Sequence, residues 1–148
     1  SRYKELTYWS EDESEGGTKN MPRTPNCYGY FTFTANPFKN FDFSLSGVYT
    51  GRMHVPHFAP TDEIPAGFPY TYIKKDELVH TSDFFDFNTK LNYTFVLNEH
   101  LKLQVNGGVQ NIFNAFQKDL DKGTYRDSGY FYGPTQPRTY FIGIKLFN

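Results

Sequence analysis

Two segments of this chain alternate apolar and polar residues with a period of two, and that alternation limits what the chain can fold into. In 41–53 the odd positions are Phe41, Phe43, Leu45, Gly47, Tyr49, Gly51 and Met53, and the even positions are Asp42, Ser44, Ser46, Val48, Thr50 and Arg52. In 85–97, Phe85, Phe87, Leu91, Tyr93, Phe95 and Leu97 share one face, broken by Thr89. Asp86, Asn88, Lys90, Asn92 and Thr94 share the other. Successive side chains of a strand point to opposite faces, whereas a helix would scatter these residues around its circumference. Both segments therefore read as strands with one apolar face. The same rule predicts strands over 101–110, over 28–35 with Phe31 and Phe33 against Tyr30, Thr32 and Thr34, and over 137–148. The last of these places Tyr140, Ile142, Ile144 and Leu146 together. Residues 2–9 form a weaker sixth pattern, with charges on both faces.

The connections alternate in length. Residues 36–40 and Asn98-Glu99 are tight turns built from turn formers. Residues 54–82, with Pro56, Pro60, Pro65 and Pro69, and residues 112–136 are long. All tight turns then fall at one end of the sheet, the asymmetry of outer-membrane barrels with short periplasmic turns and long extracellular loops. A structureless connection as long as 54–82 is uncommon inside a compact soluble domain.

Composition agrees with this reading. The chain has 148 residues and is 20% aromatic, with 16 Phe and 12 Tyr. Its mean hydropathy is −0.63. No apolar run reaches the length of a membrane-crossing helix, but barrel strands alternate and leave average hydropathy low. The net charge of −1 argues against a nucleic-acid partner. Cys27 is the single cysteine, so neither an internal disulfide nor a cysteine metal pair is expected.

Five or six strands are too few to close a membrane barrel, which takes at least about eight. An open edge in lipid would leave N–H and C=O groups unpaired. The expected fold is all-β: an antiparallel transmembrane β-barrel arc with long extracellular loops, residues 1–148 forming the C-terminal portion of a larger barrel domain. The opening residues carry no apolar signal segment, and the missing strands are expected before residue 1. Several copies closing one barrel are the alternative. With tight turns in the periplasm, the strands alternate inward and outward so that the C-terminus lies in the periplasm.

The end of the chain resembles a TonB-dependent outer-membrane receptor, with a flavour similar to receptors of the Bacteroidetes type. Asn111-Ile112-Phe113-Asn114 matches the motif that ends the family's penultimate strand. Pro137-Arg138-Thr139-Tyr140 opens the last one, with Gly143 four residues beyond Thr139. One feature departs from the family. The expected terminal aromatic position is Asn148, and Phe147 is out of register by one. The resemblance implies a barrel of about 22 strands with an N-terminal plug, neither plug nor TonB-contact segment lying in this chain. It also implies residence in the outer membrane of a Gram-negative bacterium and active uptake of a scarce nutrient. That cargo would be haem, an iron–siderophore complex or cobalamin. The implied partners are the remaining strands and the plug, the TonB system through that plug, outer-membrane lipids and a surface lipoprotein.

Candidate ligand groups lie in the long 54–82 connection. His54 and His57 form an H-x-x-H pair that could offer imidazoles to haem iron or another metal, or could be solvated loop residues. His80 lies near the end of the same connection. Tyr70 and Tyr72, in the run Phe68-Pro69-Tyr70-Thr71-Tyr72, could stack on a ring-shaped ligand or anchor the loop. Asp42, Arg52, Asp86, Lys90, Lys102 and Gln104 belong to the polar row and are expected to face the lumen and plug. The acidic stretch Glu11-Asp12-Glu13-Ser14-Glu15 reads as a solvated loop, as do Asp119, Asp121 and Asp127. Phe38, Phe41 and Phe95 fit an aromatic girdle. No metal, cofactor or catalytic constellation is expected. A soluble small β-barrel that binds a ligand and an outer-membrane enzyme using Asp86 or His80 are the competing readings.

Overall fold

The computed structural model describes residues 1–10, 16–134 and 136–148. The acidic stretch at 11–15 lies outside the described residues. The described residues form strands and no helix: β1 (Arg2–Tyr8), β2 (Gly17–Asn20), β3 (Tyr28–Phe38), β4 (Phe41–Thr50), β5 (His54–His57), β6 (Glu77–His80), β7 (Phe84–Asn98), β8 (Leu101–Gln110) and β9 (Thr139–Phe147). All pairings are antiparallel. Contacts divide the chain into two compact units.

Unit 2 comprises Tyr28–Thr50, Phe84–Phe116 and Pro134–Asn148. It is a five-stranded meander in the order β3-β4-β7-β8-β9. These are the five strands that the alternation predicts, and the register keeps their faces aligned. Phe33 lies opposite Leu45, Phe43 opposite Leu91, Leu91 opposite Gly107 and Gly107 opposite Ile142. One residue along, Ser44 meets Lys90, and Asn92 meets Asn106. The β8–β9 ladder runs from Gln110↔Thr139 to Lys102↔Phe147 without a bulge. The terminal aromatic therefore falls on the polar face, where the Lys145 ammonium lies 5.1 Å and the Lys102 ammonium 5.9 Å from the Phe147 ring centre.

Two glycines permit close approaches within this sheet. A Cβ on Gly47 would meet the Phe31 ring at 2.4 Å. The space is used by Phe31, which packs 6.0 Å from Phe87 and 6.4 Å from Phe85. A Cβ on Gly108 would meet the backbone oxygen of Thr89 at 2.2 Å, whereas one on Gly29 would meet nothing within 4 Å. Gly108→Ala should therefore force β7 and β8 apart and cost about 1–3 kcal/mol, the usual range for overpacking. Gly29→Ala should be close to neutral. Denaturant midpoints of the two variants check this, and equal midpoints would refute it.

The motif residues at the end of β8 are turn formers with specific partners. Asn111 is buried and has φ of 49°, a left-handed conformation that asparagine tolerates. Its side chain accepts from the Ala115 amide at 2.8 Å and donates to the Gln136 carbonyl at 2.8 Å. Asn114, with φ of 52°, accepts the Arg138 amide at 2.9 Å. The two halves of the terminal motif are thus hydrogen-bonded to each other. Phe113 stacks 5.7 Å from Phe87 and 6.0 Å from Phe85.

Unit 1 comprises Ser1–Cys27, Gly51–Asp83 and Gln117–Gly133. It corrects two expectations. The 54–82 segment is not a plain loop, because β5 and β6 pair within it. Pro56 hides this strand from a sequence reading. A two-stranded ribbon has only edges, however, and proline is tolerated there. The first strand pairs with β2 and does not join the main sheet.

Candidate functional site

The β5–β6 ribbon separates the two histidines of the H-x-x-H pair. His54 lies opposite His80, and His57 lies opposite Glu77. Three residues apart on a strand, side chains point to opposite faces, so His54 and His57 do not converge on one ion. His80 is the imidazole brought to His54, with ring centres 4.8 Å apart and nearly parallel. Burial and then the neighbouring His80 charge push the His54 pKa down. Among the described residues no cluster of three metal-ligating side chains forms.

His57 is neither solvated nor free. It is 5% exposed and stacks 3.7 Å from the ring of Tyr130, within 10° of parallel. Its Nε2 lies 2.9 Å from Asp121 Oδ2, and its Nδ1 lies 3.6 Å from Glu77 Oε1. Both nitrogens face carboxylates, so the ring fastens β5 to the 117–133 segment.

That segment carries a polar core around Asp119, which is therefore not the solvated loop acid expected from its charge. The hydroxyls of Tyr130 and Tyr132 donate to the two oxygens of Asp119 at 2.6 and 2.7 Å. Gln117, also buried, accepts the Tyr132 amide at 3.0 Å. Burial alone would raise the Asp119 pKa, but the tyrosine hydrogen bonds outweigh it and hold the carboxyl low. Burial, with the Asp119 hydrogen bond, pushes Tyr132 up to about 12 and Tyr130 higher still. Asp127 accepts the amides of Phe58 and Gly129 at 2.9 and 2.7 Å. It walls a cavity of about 290 Å³ with Phe58, Asp62, Tyr125 and Arg126.

Tyr70 and Tyr72 take different places. Tyr72 is buried, and its hydroxyl donates to the Lys122 carbonyl at 2.6 Å. Tyr70 remains 44% exposed with its ring 6.0 Å from Phe68. Phe68 meets Tyr125 edge-on at 5.1 Å. Gly123, with φ of +90°, lets the chain pass where a Cβ would meet both Tyr70 and Tyr72. The aromatic run anchors one segment of unit 1 to another.

The polar row lies on unit 2, with one exception. Asp42 accepts from the Asn36 side chain, and Gln104 donates to Thr94 at 3.3 Å. Lys90 lies opposite Ser44 and Gly108, and Lys102 opposite Val96 and Phe147. Asp86 Oδ1 and Asn92 Oδ1 are buried without a hydrogen-bond partner among the described residues. Arg52 does not belong to the row, because β4 ends at Thr50. At Gly51 the chain leaves the sheet, its amide donating to the Cys27 carbonyl at 2.8 Å where a Cβ would meet Asn26.

Arg52 instead reaches a second cavity of unit 1, of about 250 Å³, together with Arg2, His54 and His80. The signal for this grouping is absent from local spacing, since its members come from three separate stretches of chain. No family model matches the chain, no curated protein matches it, and no solved structure matches it.

Proposed function

We propose that this chain is the C-terminal arc of the barrel of a TonB-dependent outer-membrane receptor that imports an iron complex, haem or cobalamin. The observation that carries this reading is inverted amphipathicity. On β9 the apolar row is the exposed one, with Tyr140 at 71%, Ile142 at 81% and Ile144 at 70%, while Phe141, Gly143 and Phe147 on the polar face are half-buried. On β7, Leu91, Tyr93 and Phe95 are exposed, and Asn92 and Thr94 are half-buried. A soluble sandwich buries its apolar row between sheets. A barrel wall in lipid turns it outward.

Dimensions and edges support the same reading. Aromatics bracket the apolar face, with Phe41, Tyr93 and Phe95 toward the tight turns and Phe31, Phe85, Phe87 and Phe113 toward the other end. On β7, the ten residue steps between Phe85 and Phe95 cover about 33 Å at strand rise. Tilted as barrel strands are, that is about 25 Å of height, the thickness of the apolar band. The outer strands β3 and β9 do not pair with each other, so further strands are required to complete the wall. The unpartnered oxygens of Asp86 and Asn92 are groups that a plug or lumen water would satisfy.

Single cysteines test the wall, in a background where the exposed native thiol is removed by Cys27→Ser. In the full-length protein in outer membranes, Leu91→Cys and Ile142→Cys should react with a lipid-soluble maleimide and resist a membrane-impermeant one. Gln104→Cys should react with a small water-soluble reagent. Rapid labelling of Leu91→Cys by the impermeant reagent would overturn the reading. Import is tested by growth on limiting haem, siderophore iron or cobalamin with the gene present or deleted. Equal growth on all three would remove these cargoes.

A further inference from the structure

The second cavity of unit 1 has a charge pattern that nothing above explains. Its charged and titratable side chains are Arg2 on β1, Arg52 after β4, His54 on β5 and His80 on β6. Asn20, Thr24 and Asn26 add polar groups, and no Asp or Glu lines it among the described residues. The ion pairs of His57 involve none of these four groups. Two guanidiniums and two imidazoles thus share one lining without a carboxylate, an arrangement that favours an anion. We infer that this cavity binds a small multivalent oxyanion, a phosphate or polycarboxylate group.

The frame is held by backbone before any ligand arrives. Arg2 pairs opposite Asn20. The Arg52 carbonyl accepts the Asn26 amide at 2.9 Å, and the His54 carbonyl accepts the Arg23 amide at 2.7 Å. Those bonds hold three separate stretches of chain around the cavity, and a preorganised site loses less entropy on binding. Two guanidinium forks match the paired oxygens of carboxylates and phosphates. A volume of about 250 Å³ is room for about eight waters at ~30 Å³ each. That suits an anion of several heavy atoms and is smaller than a drug-sized ligand needs.

Proton linkage has a definite sign. Burial and the facing His80 hold the His54 pKa down. An anion against the ring favours the imidazolium, so binding takes up a proton and tightens as pH falls. Arg2 and Arg52 stay charged throughout. The inference does not rest on the barrel reading, because every lining residue belongs to unit 1.

The test is calorimetric titration of the full-length folded protein with inorganic pyrophosphate and, separately, with tricarballylate, at about pH 6 and about pH 8 on either side of histidine titration. Saturable binding of either anion is expected, tighter at the lower pH, and whichever binds better identifies the phosphate or carboxylate source. Arg52→Gln and Arg2→Gln should each weaken it roughly tenfold or more, as loss of a charge-assisted hydrogen bond does. His54→Gln should flatten the pH dependence. Arg126→Gln, outside this cavity, is the control for diffuse charge, and near-ultraviolet circular dichroism confirms folding of each variant. Absence of saturable binding by both anions in the folded protein would overturn the inference, as would equal effects of Arg52→Gln and Arg126→Gln.

Discussion

If the apolar face meets lipid as proposed, Leu91→Arg should destabilise the folded protein by about 2–4 kcal/mol, the range for an arginine turned toward the middle of a bilayer. Leu91 sits on the central strand of the meander, opposite Phe43 and Gly107 on the apolar face, and is 44% exposed. In water that exposure would make the substitution mild, because an arginine at such a position simply stays hydrated. In lipid the same position has no water to offer. Lys90→Arg, one residue away on the polar face, should change stability by no more than about 0.5 kcal/mol. Urea unfolding of the full-length protein in lipid vesicles measures both. Similar midpoints for the two variants would mean that both faces meet water, and the membrane wall would fall.

Asp119→Ala should loosen the 117–133 segment by about 2–6 kcal/mol, the cost of two unmet buried donors. Tyr130 and Tyr132 are 2% and 8% exposed, and both hydroxyls donate to Asp119. Without the carboxylate, two buried donors lose their acceptor, at roughly 1–3 kcal/mol each. Amide hydrogen exchange across residues 117–133 is the appropriate readout, since global melting would mask a local change. Adding Tyr130→Phe and Tyr132→Phe should restore part of the protection, because removing both partners leaves no unmet donor. The pH sign follows from the lowered Asp119 pKa. The stabilisation is fully present above the ordinary carboxylate value and is lost as pH falls through the lower folded value. Unchanged exchange in Asp119→Ala would show that the tyrosines find other acceptors.

The sequence alone determined the main sheet. Period-two alternation is a local property, so Phe43, Leu45, Leu91, Val105 and Ile142 had to share a face once their strands paired in order. A one-residue slip would have inverted a whole row. The turns are tighter than the turn formers suggest, because β3 runs through Asn36 and Pro37 to Phe38 and β7 runs through Asn98. What the tertiary structure decided lies in unit 1. His57 was legible as a histidine on a loop, but its burial between Tyr130, Asp121 and Glu77 depends on residues 20 to 73 positions away. Arg52 belonged by parity to the polar row, and only the close approach of Gly51 to Asn26 and Cys27 takes it off the sheet. Asp119 looked like a solvated acid because hydropathy cannot register two tyrosine hydroxyls returning to it from 11 and 13 residues further on. Strand faces are set by neighbours in sequence, whereas polar networks are set by neighbours in space, and no periodicity carries that information.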